Sequence, residues 1–108
     1  MIYRIVISEA AEQDIREAVA WWRDHRSALQ AERWLDQIYS ALDSLSKWPT
    51  RCPFAPETEL LPTGIRQLLF GVRQKSTHRI VFTIADQTVV ILRVRHVARQ
   101  ELTAEDLL

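Results

Sequence analysis

The chain is poor in the residues that bridge, chelate or bend a backbone sharply: one cysteine and two glycines in 108 residues. A lone Cys52 cannot close an internal disulfide, and it rules out a cysteine-based zinc site within one chain. The thiol is expected to be reduced, in a cytoplasmic setting. Gly64 and Gly71 stand apart, so no glycine-rich loop is present to cradle a phosphate. The histidines, His25, His78 and His96, are scattered without carboxylates at ligand spacing. Neither a metal nor any other cofactor is therefore expected. No stretch approaches the ~20 apolar residues of a membrane helix. The apolar opening, residues 2–7, is too short for a signal peptide and is not followed by a small-residue cleavage site.

An excess of one charge is also missing, since 14 basic residues balance 14 acidic ones. The balance hides a split. Residues 1–63 carry seven basic side chains against ten acidic, and residues 64–108 carry seven against four. Between 64 and 99 the only acid is Asp86, which leaves that stretch at +6. Such asymmetry points to an anionic partner for the second half, either nucleic acid or an acidic protein segment. All but Lys75 of the basic residues there are arginines, which suit bidentate contact with carboxylate or phosphate.

What is present in quantity is apolar residue, 47% of the chain, enough for the core of one domain spanning 1–108. Residues 2–7 read as a strand. Ser8 is a good N-cap, and Glu9 and Glu12 put negative charge into a first helical turn. Ala11, Ile15, Ala18, Val19 and Trp22 follow at helical spacing, predicting a helix from Glu9 to about His25. A polar joint, residues 24–27, leads to a second helix. Its stripe of Ala28, Ala31, Leu35, Ile38, Leu42 and Leu45 ends before Pro49. The four prolines all fall between 49 and 62, which marks that stretch as a stiff connection. Strands follow at residues 65–70, 78–84 and 89–97, the last two joined by a turn at Ala85-Asp86-Gln87. The tail, 101–108, reads as a short helical turn or as disordered.

The order is β-α-α-β-β-β. It predicts an α+β fold, with an antiparallel helical hairpin packed on one face of a small, mainly antiparallel sheet. Strict alternation puts Ile80, Phe82 and Ile84 on one face of their strand and Arg79 on the other. In the last strand it puts Val90, Leu92 and Val94 opposite Ile91, Arg93 and Arg95. The expectation is an open cationic sheet face of Arg79, Arg93 and Arg95, with Arg73 and Lys75 of the preceding loop nearby and Arg99 just beyond the last strand. Trp22 fits the core stripe. Trp21 and Trp34 are expected to be partly exposed and to anchor a partner.

Several segments resemble one family in the same order. Tyr3-Arg4-Ile5-Val6-Ile7-Ser8-Glu9 looks like the strand-to-helix opening of the RelE/ParE toxins of type II toxin–antitoxin (plasmid stabilisation) systems. Ala41-Leu42-Asp43-Ser44-Leu45 followed by Trp48-Pro49 is similar to the family's second helix and its exit. His78-Arg79-Ile80-Val81-Phe82 and Ile91-Leu92-Arg93-Val94-Arg95-His96-Val97-Ala98-Arg99 resemble its third and last strands. The resemblance implies a toxin held inactive in a hetero-oligomer with a cognate antitoxin, and Arg73, Lys75, Arg79, Arg93, Arg95, Arg99, Trp21 and Trp34 are expected to contact the antitoxin or the target. It also implies one of two targets, DNA gyrase or mRNA on the ribosome.

For metal-free RNA cleavage, His96 would serve as acid or base, with Arg79 and Arg95 holding the phosphate. Two features lean away from the nuclease branch. No tyrosine follows the last strand, and the region is not lysine-rich. The ending His96-Val97-Ala98-Arg99 is closer to the gyrase-directed, ParE-like branch. A toxin that only binds its antitoxin is the remaining alternative.

Overall fold

Ser8 sets the first corner of the fold. Its hydroxyl accepts from the Ala11 N–H at 3.1 Å, capping helix α1 (Glu9–His25) where strand β1 (Arg4–Ile7) ends. Ser27 does the same for α2 (Ala28–Ser44) by accepting from the Gln30 N–H at 3.1 Å. The two helices form the antiparallel hairpin that the sequence predicts. In this computed structural model, residues 2–71 and 75–107 are described. Short 3-10 turns at Pro49–Arg51 and Thr58–Leu60 punctuate the proline-rich connection. Strands β2 (Arg66–Phe70), β3 (His78–Ala85) and β4 (Thr88–His96) follow. A last 3-10 turn covers Ala104–Leu107.

The sheet order is β1-β4-β3-β2, with β1 parallel to β4 and the other pairs antiparallel. The first strand therefore lies beside the last, as a strand followed by a crossover requires. Asp86 makes the tight β3–β4 turn at φ 56°, a left-handed conformation that a short Asp side chain tolerates.

The helices cover one face. Trp34, Ile38, Leu42 and Leu45 of the second helix segment meet Ile80, Phe82, Val89, Ile91 and Val94, with Ala11 and Ile15 of α1. The apolar stripe of α2 is turned slightly from the expected one. Trp34 is its centre and is 0% exposed, while Leu35 is only half-buried and Ala28 is exposed. Trp34 is therefore a core residue and not the partner anchor expected of it. A large ring at that position fills the space a leucine stripe would leave.

Two further expectations change. β4 does not alternate throughout. Val81 pairs with Arg93 and Phe82 pairs with Ile91, so Leu92 is an extra, unpaired residue, a β-bulge. The bulge puts Val89, Ile91 and Val94 together on the helix side, whereas alternation placed Ile91 and Val94 on opposite faces. The other change concerns the far face, which is not open. The Pro-rich connection and the tail cover it, burying Ala55, Ile65, Val81 and Leu102, with Leu61, Leu92 and Leu107 packed against them. The Thr83 hydroxyl donates to the Gly64 C=O at 2.7 Å, tying the connection down. The tail ends in an ordered 3-10 turn because Leu102 has an apolar seat there.

Candidate functional site

Beneath the covered far face, the arginines expected to be free are largely engaged. Glu57, from the Pro-rich connection, is buried against Arg79. Arg79 Nη1 donates to Glu57 Oε1 at 2.8 Å and to Gln67 Oε1 at 3.0 Å, and its Nη2 donates to Glu57 Oε2. The Leu102 N–H also donates to Glu57, at 2.9 Å, so one carboxylate ties connection, sheet and tail together. Burial pushes the Glu57 carboxyl up, but the bonds from Arg79 and Leu102 outweigh it and hold it below its ordinary value. Hydrogen bonding to Glu57 raises Arg79 in turn.

Arg93 is held by Asp14 of α1, Nε to Oδ2 and Nη2 to Oδ1, both at 2.8 Å. Its Nη1 donates to the Asp106 C=O at 3.1 Å. Hydrogen bonding to Asp14 raises its pKa.

Arg95 is the exception. It is 8% exposed, its Nε has no hydrogen-bond partner, and its Nη2 has one contact, to Asp106 at 3.5 Å. Burial, then the neighbouring Arg93 and Arg99, push its pKa down.

A groove opens at this end of the sheet for a reason that starts in β1. That strand has only four residues and pairs with β4 no further than Ile91. Past Ile91, side chains from the α1 end take over the β4 edge. The Ser8 hydroxyl donates to the Leu92 C=O at 3.0 Å, and Asp14 accepts from the Val94 N–H at 2.9 Å. Beyond Asp14 the space between α1 and the strand ends is a cavity of about 440 Å³. Asp14, Glu17, Ala18, Trp21 and Trp22 of α1 line one side, with Glu17 exposed, and Thr77, His78, Val94, Arg95, His96 and Arg99 line the other.

The two histidines of the groove have different duties. Trp34 Nε1–H donates to His78 Nδ1 at 3.4 Å, and the Thr77 hydroxyl lies 2.9 Å from the same nitrogen. An indole N–H can only donate, so Nδ1 is the acceptor and the ring proton sits on Nε2. Burial, with His96 next to it, holds the His78 pKa at about 4, and the ring is neutral near pH 7. His96 is exposed and its ring lies 5.2 Å from His78. Its Nδ1 accepts from the Ala98 N–H at 3.0 Å.

On the helical wall, Trp21 is 45% exposed and stacks on His25 at 4.9 Å, with the Trp22 ring edge-on at 5.3 Å. The Arg26 guanidinium lies 5.6 Å from the Trp21 ring centre. This stack fixes the indole without hiding it.

The structure thus brings together Trp21, Arg95, His96 and Arg99, and adds His78, which the sequence reading placed only at a strand start. It separates Arg79 from His96: Arg79 is the cross-strand neighbour of Arg95 and is clamped by Glu57 on the far face, while His96 shares the helix side with His78. Lys75 is exposed in its loop, and Arg73 lies outside the described residues. Two further aromatics, Trp48 and Phe54, are exposed, which spacing did not predict. They sit in a segment without periodicity, where exposure has no pattern to betray it.

The grouping can present hydrogen-bond donors beside an aromatic wall, which is binding chemistry. Among the described residues, no group of three or more His, Cys, Asp or Glu could hold a metal ion. Cys52 is buried, and burial raises its thiol pKa against the opposing pull of Arg51 and Arg66. No helix among the described residues is long and apolar enough to cross a membrane.

A family model described as the ParE toxin of the type II toxin–antitoxin system parDE matches residues 5–101. No curated protein matches the sequence. Among solved structures, the chain is similar to one from the chromosomal ParDE system of P. aeruginosa. That match has 14% identity and a TM-score of 0.69, over 89% of this chain and 97% of that one. It is also similar to a chain of the RelBE2 toxin–antitoxin complex of Mycobacterium tuberculosis, at 24% identity and a TM-score of 0.51 over 89% and 99%. A mutant of the E. coli toxin RelE in the free state matches at 15% identity and a TM-score of 0.53, over 91% and 86%. These likenesses establish the shared β-α-α-β-β-β fold.

Proposed function

Because the chain belongs to the ParE toxin family of type II toxin–antitoxin systems, we propose that it acts in the cytoplasm as a DNA gyrase poison when free and is neutralised by a cognate antitoxin. The observation that carries the gyrase reading is the separation of Arg79 from His96. Metal-free RNA cleavage needs an acid, a base and cations around one phosphate. Here Arg79 is committed to Glu57 on the far face, and His78 is a neutral, Nε2-protonated ring bonded to Trp34. That arrangement favours a surface that binds a protein over one that cuts RNA.

The antitoxin would cover the end of the sheet, with Trp21, Arg95, Arg99 and Lys75 as its contacts. Arg73, two residues before Lys75 in the sequence, belongs to this proposal on that position alone. Arg79 and Arg93 would contribute through the carboxylates they hold in place. A hetero-oligomer of toxin and antitoxin follows from this reading.

The test is a gyrase supercoiling reaction with the purified, folded protein. Inhibition with accumulation of cleaved DNA is expected. An uninhibited reaction, together with mRNA cleavage on ribosomes that is lost in His96→Ala, would replace this reading with the nuclease one.

A further inference from the structure

We infer that the groove between α1 and the β3–β4 end is a recognition site for a carboxylate held next to an apolar side chain, supplied by an acidic segment of the antitoxin. The inference rests on the antitoxin reading above and deepens it, by saying what the bound segment must carry and where.

Three observations lead there. First, Arg95 is under-partnered at the site. Asp14 is used up by Arg93 and the Val94 N–H. Asp106 is shared between Arg93 and Arg95. Buried Arg95 is left with an unpartnered Nε, and Arg99 stands exposed beside it. A buried cation without full pairing is costly, and an incoming anion relieves it. Second, the groove floor offers a neutral donor. With Nδ1 of His78 occupied, Nε2–H is the group it can present to an acceptor. Third, the opposite wall is Trp21, Trp22 and Ala18, which suits an aliphatic or aromatic side chain.

The charge count also selects the class of anion. Glu17 stands exposed on the α1 side, and its carboxylate would repel a chain of phosphates. A single carboxylate brings one charge to Arg95 and Arg99, where a nucleic-acid strand brings one at every phosphate. An acidic peptide is therefore favoured over nucleic acid.

The test uses the full chain and two capped dipeptides, acetyl-Phe-Asp-amide and acetyl-Phe-Asn-amide, titrated while the Trp indole and His ring signals are followed by NMR. The acidic dipeptide should move the Trp21, Trp22 and His78 signals, and the Asn dipeptide should bind about tenfold more weakly, the loss of one charge-assisted contact. Arg99→Gln, a change at an exposed residue that leaves the fold alone, should weaken the acidic dipeptide about threefold. Arg95→Lys, which keeps the charge and alters its placement, should weaken it further. Equal binding of the two dipeptides, indifference to both substitutions, or a groove that responds to a short DNA strand and not to the dipeptide would each overturn the inference.

Co-purification with the product of an adjacent gene tested as a candidate antitoxin separates the two levels. An antitoxin that binds wild-type and both variants equally removes the groove site and leaves the toxin reading standing. If no antitoxin is captured by the wild type, the antitoxin reading falls, while the dipeptides still decide what the groove binds.

Discussion

On the far side of the sheet, Arg79 meets Glu57 through two nitrogens, and the loop and tail that cover it bring their own apolar residues. At the groove edge, Arg95, the cross-strand neighbour of Arg79, has an unpartnered Nε, and Arg99 stands in solvent. Both regions are rich in arginine, yet only the far face gives its arginine a full set of partners from within. The difference lies in what each cover supplies: residues 52–63 and 101–107 give Arg79 the full Glu57 carboxylate, whereas at the groove the tail gives Arg95 only the Asp106 contact at 3.5 Å and leaves Arg99 exposed. Internal pairing on the far face serves stability, and the end of the sheet where Arg95 lacks partners is where another molecule can contribute.

The sharpest way to break this contrast is to remove the internal carboxylate. Glu57→Ala leaves Arg79 buried and unpaired and also frees the Leu102 N–H, so it should cost about 3–5 kcal/mol. That is a large part of a small domain's stability. Chemical denaturation would measure it. The double variant Glu57→Leu with Arg79→Leu should recover much of the loss, because it leaves no orphaned charge. A Glu57→Ala variant as stable as the parent would mean that the far face is not held by this pair.

The two regions also differ in how readable they were. Hydrophobic spacing revealed the helices, the strands and their order, because burial of one face imposes a period on each element. It could not reveal the partner of Arg79. Glu57 lies in a proline-rich stretch without a period, and nothing local says which loop carboxylate will cover which strand arginine. The bulge at Leu92 defeated strict alternation, since one extra residue exchanges the two faces from that point on. Trp34 was misplaced because a phase error of one residue on α2 turns a side chain from core to surface. At the groove, Trp21, His96 and Arg99 were legible as exposed or strand-end residues. His78 was not, because its role depends on the Trp34 N–H behind it.

Acid should separate the regions next. His78 has a pKa of about 4 in the fold against an ordinary 6.5. Between those values the unfolded chain takes up a proton that the native ring refuses. Its contribution is thus complete above about pH 6.5 and is lost as pH falls toward 4. One pKa unit corresponds to about 1.4 kcal/mol, so with partial solvent access the loss is on the order of 2 kcal/mol. Denaturation midpoints at pH 7 and pH 4.5 should show it, and His78→Gln should flatten that slope. Trp34→Phe, which removes the N–H that reserves Nδ1, should raise the His78 pKa, as NMR titration of the ring would report. An unchanged slope in His78→Gln would assign the acid sensitivity to another group.

The smallest effect on stability is expected where the effect on recognition is greatest. Trp21 lies outside the core and is 45% exposed, so Trp21→Ala should shift unfolding by no more than about 0.5 kcal/mol. Its removal takes away the wall of the groove and the ring on which His25 stacks. Binding of the antitoxin should then weaken by tenfold or more, in line with the weight that exposed tryptophans carry at interfaces. Arg26→Ala, which loses only a cation lying 5.6 Å from that ring, separates the indole's own contribution from that of its support. If Trp21→Ala unfolds the protein as readily as Glu57→Ala does, the indole is structural, and the groove loses its claim to be the surface that the fold leaves for a partner.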